Sequence, residues 1–129
     1  MPTEAQLGSI GWCDLTIDNA DALRDFYAQA VGWTPQPIEM GGYSDYVMNG
    51  AQGHPAAGIC HARGVNAELP PQWIVYITVT DLDARIARIR ELGGTILDGP
   101  RGCGPGIRLC VFRDPAGAVA AICETTPAP

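Results

Sequence analysis

Residues 10–33, IGWCDLTIDNADALRDFYAQAVGW, are echoed by residues 72–95, QWIVYITVTDLDARIARIRELGGT. Each copy opens on a strand-like apolar run and passes through acidic punctuation, Asp18-Asn19 in one and Asp81 with Asp83 in the other. Each then continues with apolar residues at helical spacing and closes on glycine, at Gly32 and at Gly93-Gly94. Their tails also correspond: MNGAQGHPAAGIC (48–60) answers FRDPAGAVAAIC (112–123) with one residue fewer. A repeat of this length spanning the chain predicts two copies of one supersecondary unit.

Each half of the 129 residues is too short to bury a sizeable core alone, so one domain with a shared core is expected over 1–129. No apolar run reaches the roughly 18 residues of a membrane span, and residues 1–11 lack a basic-then-apolar leader. A cytoplasmic location is the resulting expectation. A net charge of −6 argues against a nucleic-acid partner. Arg85, Arg88 and Arg90 in the second helical segment read as a solvated face, with no aromatic residues interleaved. Five cysteines form no CxxC pair, and four of them fall in strand-like runs, which predicts reduced thiols.

Alternation from Ile10 to Ile17 puts Trp12, Asp14 and Thr16 on one strand face and Cys13, Leu15 and Ile17 on the other. Asp18-Asn19 is placed to cap a helix whose stripe is Leu23, Phe26, Tyr27, Ala30 and Val31, ending at Gly32. Pro35 and Pro37 mark an edge strand over 33–40, followed by strands at 43–49 and 56–62. The linker-like segment RGVNAELPP (63–71) leads into strand 73–79. A helix follows over 81–92, with Leu82, Ile86, Ile89 and Leu92 buried. After it come a short strand at 95–98, a GPRGCGPG loop, and strands at 107–113 and 118–124. Residues 1–7 and the TTPAP tail are expected to be loose.

Two βαβββ modules with FY before VGW and a late DPAG turn resemble the vicinal oxygen chelate superfamily. This is the fold of glyoxalase I, the extradiol dioxygenases and the bleomycin- and fosfomycin-resistance proteins. The resemblance covers residues 8–125 and rests on GWCDLTIDNADALRDFYAQAVGW, VYITVTDLDARIARIRELGG and FRDPAGAVAAICE. GGYSDYVMN…AAGIC narrows it to a glyoxalase-like or bleomycin-resistance-like subgroup. It implies an α+β fold in which module 1 (8–62), a linker (63–71) and module 2 (72–125) form a curled mixed sheet around a cleft, and a homodimer.

In the metalloenzymes of this superfamily, four strand positions hold a divalent metal. Carried over, they fall on Trp12, Gly58, Ile74 and Ala121, none of which can ligate. His61 and Cys60, adjacent on a strand, project to opposite faces and cannot share an ion. A divalent metal is therefore disfavoured, no cofactor is expected, and whether the chain is an enzyme stays open. The expected function is metal-free binding of an aromatic or amphipathic small molecule in the cleft. The alternative is a metal-dependent lyase or dioxygenase with non-standard ligands. The candidate binding residues are Trp12, Asp14, Tyr43, Tyr46, Trp73, Ile74, Tyr76 and Cys103. Trp12 either lines a pocket or plugs it. Asp14, inside a half-barrel, must be paired, solvated or shifted in its ionisation. GCGPG (102–106) reads as a turn or as a gating loop.

Overall fold

The computed structural model describes residues 6–126. Its elements run β1 (Ile10–Ile17), α1 (Ala20–Val31), β2 (Thr34–Glu39), β3 (Ser44–Asn49), β4 (Pro55–His61), β5 (Trp73–Thr78), α2 (Leu82–Glu91), β6 (Thr95–Gly102), β7 (Ile107–Arg113) and β8 (Val119–Thr125). This is the expected α+β pair of βαβββ modules. The chain divides into two compact units, one spanning Trp12–Trp73 and the other Ile74–Pro129 together with residues 1–11. The lead-in through residue 5 and the tail from Pro127 lie outside the described residues.

In the N-terminal unit the strands lie in the order β2-β3-β4-β1. β1 runs parallel to β4, whereas β3 is antiparallel to both β2 and β4. β2 has its prolines at 35 and 37 and forms the outer strand, where a missing N–H costs no ladder bond. Helix α1 covers one face. Ala20, Tyr46, Met48 and Ile59 are buried there, with Ile17, Leu23, Tyr27, Trp33 and Trp73 packed against them. The working stripe of α1 is thus Ala20, Leu23 and Tyr27, narrower than expected. Phe26 and Val31 flank it and stay mostly exposed. Gly32 ends the helix in the left-handed conformation at φ 82°. The expected side-chain cap is absent: the backbone carbonyl of Asn19 accepts the first-turn N–H groups of Ala22 and Leu23, and its side chain makes no capping bond.

The C-terminal unit repeats the plan in the order β5-β8-β7-β6, with β5 parallel to β8. Leu82, Ile86, Cys110 and Ile122 form its buried helix-side cluster, joined by Ile77, Ile89, Ile96 and Phe112. Asp81 does cap α2, accepting from the Ala84 N–H at 3.3 Å, and the Glu124 carboxylate takes the Leu82 N–H at 2.9 Å. Leu92, expected in the stripe, is exposed because the helix stops at Glu91 and leaves it at the C-cap.

The largest departure from expectation is β6. It does not end at Asp98 but continues through a bulge to Gly102, with register shifts around Asp98. Gly99 makes this possible. It sits at φ 97°, and a Cβ there would come within 2.6 Å of the Leu109 carbonyl oxygen. Residues 102–106 are a hydrogen-bonded turn, closed by Cys103 N–H to the Ile107 carbonyl at 3.0 Å.

Candidate functional site

Helices cover one face of the strands in each unit, so the chemistry available to a ligand sits on the other face. Register identifies those residues. In the N-terminal unit Asp14 lies opposite Gly58, Thr16 opposite Cys60, and Val47 opposite Gly58. Directly opposed residues share a face, so Trp12, Asp14, Thr16, Val47, Gly58 and Cys60 line the helix-free side.

There the Trp12 indole Nε1–H donates to Asp14 Oδ1 at 2.6 Å, a part-buried bond between residues two apart on one strand. An intramolecular hydrogen bond of this kind contributes about 1 kcal/mol net. Gly58 supplies the room: a Cβ there would collide with Asp14 Oδ1 and lie 3.5 Å from Trp12 Nε1. Gly58→Val is therefore expected to destabilise the chain by about 2 kcal/mol through overpacking. Urea unfolding read by tryptophan emission would check this; an unchanged midpoint would refute the packing described.

In the C-terminal unit, β7 residues Cys110 and Phe112 belong to the helix-side cluster, so Leu109 and Val111 point the other way. Asp98 opposes Val111, and Arg101 opposes Leu109. Across the sheet, Val111 opposes Ala121 and Leu109 opposes Cys123; these in turn stand opposite Tyr76 and Thr78. Leu109, Val111 and Ala121 make the middle of this face apolar, with Tyr76, Thr78 and Cys123 beside them, Thr95 and Arg113 at one end, and one ion pair. Arg101 Nε donates to both oxygens of Asp98, at 2.9 and 3.1 Å, and its Nη2 donates to Oδ2 at 2.9 Å. The Asp98 side chain is 3% exposed and that of Arg101 31%. The Asp98 hydrogen bonds hold the guanidinium even more firmly protonated than usual, against the opposing effect of burial, with smaller support from Tyr76 and Cys103.

The expected site residues fall into separate groups. Trp12 and Asp14 are together, and Ile74 and Tyr76 are buried on the helix-free face of their own unit. Cys103 is exposed at the end of β6. Tyr46, expected on the face of Trp12, is instead on the helix side. It pairs with Ile59, and its hydroxyl donates to Asp21 at 2.6 Å while accepting from Arg24 at 2.7 Å. The Asp21 bond first, and then burial, raise its phenol above the ordinary value, against the Arg24 guanidinium, which lowers it. Trp73 also lies on the helix side, edge-on to Tyr27 and Trp33, and donates to the Tyr27 hydroxyl at 3.0 Å. Tyr43 sits under the Arg63 guanidinium, 3.9 Å from its ring centroid.

Sequence reading missed two features. One is Asp98 with Arg101, hidden in the turn-like string LDGPRG. The other is His61, whose Nδ1 lies 3.2 Å from Asp45 and whose Nε2 lies 3.6 Å from Asp21, tying the end of β4 to α1.

The carried-over metal positions hold an indole donor already bound to a carboxylate, a glycine, an isoleucine and an alanine. These four residues do not fit a divalent ion. Among the described residues, no group of three or more His, Cys, Asp or Glu side chains is placed to hold one elsewhere. The described cysteines are all free thiols, and burial pushes Cys13, Cys110 and Cys123 up. No described helix is long and apolar enough to cross a membrane.

Comparison with known proteins places this geometry. Residues 13–123 match the family described as glyoxalase-like domain. The anthracycline biosynthesis protein DnrV of Streptomyces peucetius is 36% identical over 121 residues, covering 91% of this chain and 42% of DnrV. The putative glyoxylase CFP32 of Mycobacterium tuberculosis is 31% identical over 120 residues, covering 90% of this chain and 45% of CFP32. The chain thus spans less than half the length of the curated relatives it matches. Methylmalonyl-CoA epimerase of Streptomyces coelicolor, solved with 2-nitronate-propionyl-CoA, superposes with a TM-score of 0.58 at 19% identity over 94% of this chain and 99% of that one. The Mycobacterium tuberculosis epimerase gives 0.59 at 17% identity, over 98% and 94%. At such identities the likeness is one of fold.

Proposed function

The chain belongs to the glyoxalase-like domain family, and on that premise we propose that it binds an aromatic or amphipathic small molecule without a metal. The observation that carries this reading is the Trp12–Asp14 pair lying over Gly58. Where the superfamily's metalloenzymes keep ligating atoms, this chain presents a flat indole beside an oriented carboxylate. An apolar wall with a few fixed polar groups is the usual composition of a small-molecule site. The relationship to DnrV, named for the biosynthesis of anthracyclines, supports a fused-ring aromatic ligand. In this reading Trp12 stacks on the ligand and Asp14 fixes the indole. Binding alone accounts for these residues, and no catalytic step is assigned to them.

A thermal-shift screen with polycyclic aromatic and amphipathic compounds tests the reading. A ligand at a hundredfold excess over its Kd adds about 2.7 kcal/mol, which moves the Tm of a chain this long by roughly 10 °C. Trp12→Ala and Asp14→Asn should each raise Kd about tenfold, a cost of about 1.4 kcal/mol. Hits indifferent to both substitutions would place the site elsewhere. A metal-dependent lyase or dioxygenase would instead show a stoichiometric metal after purification without chelator. The reading also takes the protein to be a homodimer; light scattering that returned the 13.6 kDa of one chain would remove that part.

A further inference from the structure

An ion pair whose carboxylate is buried is costly, because the charges leave water and only excellent geometry repays them. The Asp98–Arg101 pair has that geometry. It also has an asymmetry that packing alone does not require: the carboxylate is almost wholly buried, while about a third of the arginine side chain remains open. Asp98 spends both oxygens on Nε and Nη2. The guanidinium is thereby locked in one orientation, and Nη1 makes none of its bonds to Asp98. Leu109, opposite Arg101, and Val111 and Ala121 beside it are apolar and buried on the same face. A preoriented, part-exposed guanidinium on an apolar wall fits an acidic oxygen carried on an aromatic body.

We propose that Arg101, positioned by the buried carboxylate of Asp98, selects ligands that bear an anionic group on an aromatic skeleton. This rests on the small-molecule reading above and concerns the helix-free face of the C-terminal unit alone. Asp98 acts as a positioning residue, and Arg101 makes the contact.

The test uses two fluorescent probes with the same anilinonaphthalene body, one carrying a sulfonate (anilinonaphthalene sulfonate) and one uncharged (phenylnaphthylamine). The full chain should bind the sulfonate at least about tenfold more tightly than the uncharged amine, the size of effect a charge-assisted hydrogen bond supplies. Arg101→Met alone would strand a buried carboxylate and risks unfolding. The decisive variant is therefore the double substitution Asp98→Leu with Arg101→Met, which removes both charges together. It should bring the two affinities together by weakening the sulfonate and leaving the amine unchanged. Equal affinities in the unsubstituted protein, or a tenfold ratio that survives the double substitution, would overturn the assignment while leaving the small-molecule reading intact. Failure of both probes to bind would count against both.

Discussion

Arg101→Met on its own is expected to lower stability by about 3 kcal/mol, at the low end of the 3–5 kcal/mol range for breaking a buried ion pair. The low end applies because the arginine side chain is 31% exposed and part of its interaction is screened by water. The cost arises at Asp98, whose 3% exposed side chain would be left without its donors. Removing both charges should behave differently. Asp98→Leu with Arg101→Met replaces the pair by hydrophobic groups, and such replacements are commonly neutral or stabilising. Urea midpoints for the two variants should therefore differ in the sense that the double substitution rescues the single one. A single variant as stable as the parent would mean that Asp98 is well solvated, contrary to its burial.

Trp73→Ala is expected to cost a comparable amount, about 3–4 kcal/mol, as a large aromatic truncation. The indole meets Tyr27 at 5.2 Å and Trp33 at 5.8 Å between ring centroids, both edge-on, and its N–H donates to Tyr27. Trp73→Phe keeps the ring contacts and loses the hydrogen bond, so its loss should be about 1 kcal/mol beyond the smaller ring's reduced burial. Neither change should alter ligand affinity, because Trp73 packs with α1 on the side opposite Trp12. A fall in affinity with little loss of stability would return Trp73 to the binding face.

Most of the architecture was legible in the sequence because the repeat and the period-two strands act together. The alternation from Ile10 to Ile17 correctly separated Trp12 and Asp14 from Leu15 and Ile17, since β1 is regular along its length. Gly32 announced the end of α1 because a left-handed cap needs that residue. The pairing of Asp14 with Gly58 is repeated by that of Tyr76 with Ala121, as the corresponding tails predict. Legibility failed where backbone irregularity broke the period. Gly99-Pro100 looks like a turn, yet it forms a bulge that brings Asp98 and Arg101 onto one face, and no periodic pattern displays that. Tyr46 was misplaced because face parity cannot be counted from one strand to the next without knowing the register, and its pairing with Ile59 turns it to the helix. The His61 contacts with Asp45 and Asp21 join three elements far apart in sequence, so spacing carried no trace of them.

Titration of phenylnaphthylamine into chelator-treated protein, followed by the emission of the probe itself, tests the central claim most directly. The account predicts saturable binding that is unaffected by chelator or by added divalent metal, and that is about tenfold weaker in Trp12→Ala. Binding that appears only when a divalent metal is restored would contradict it.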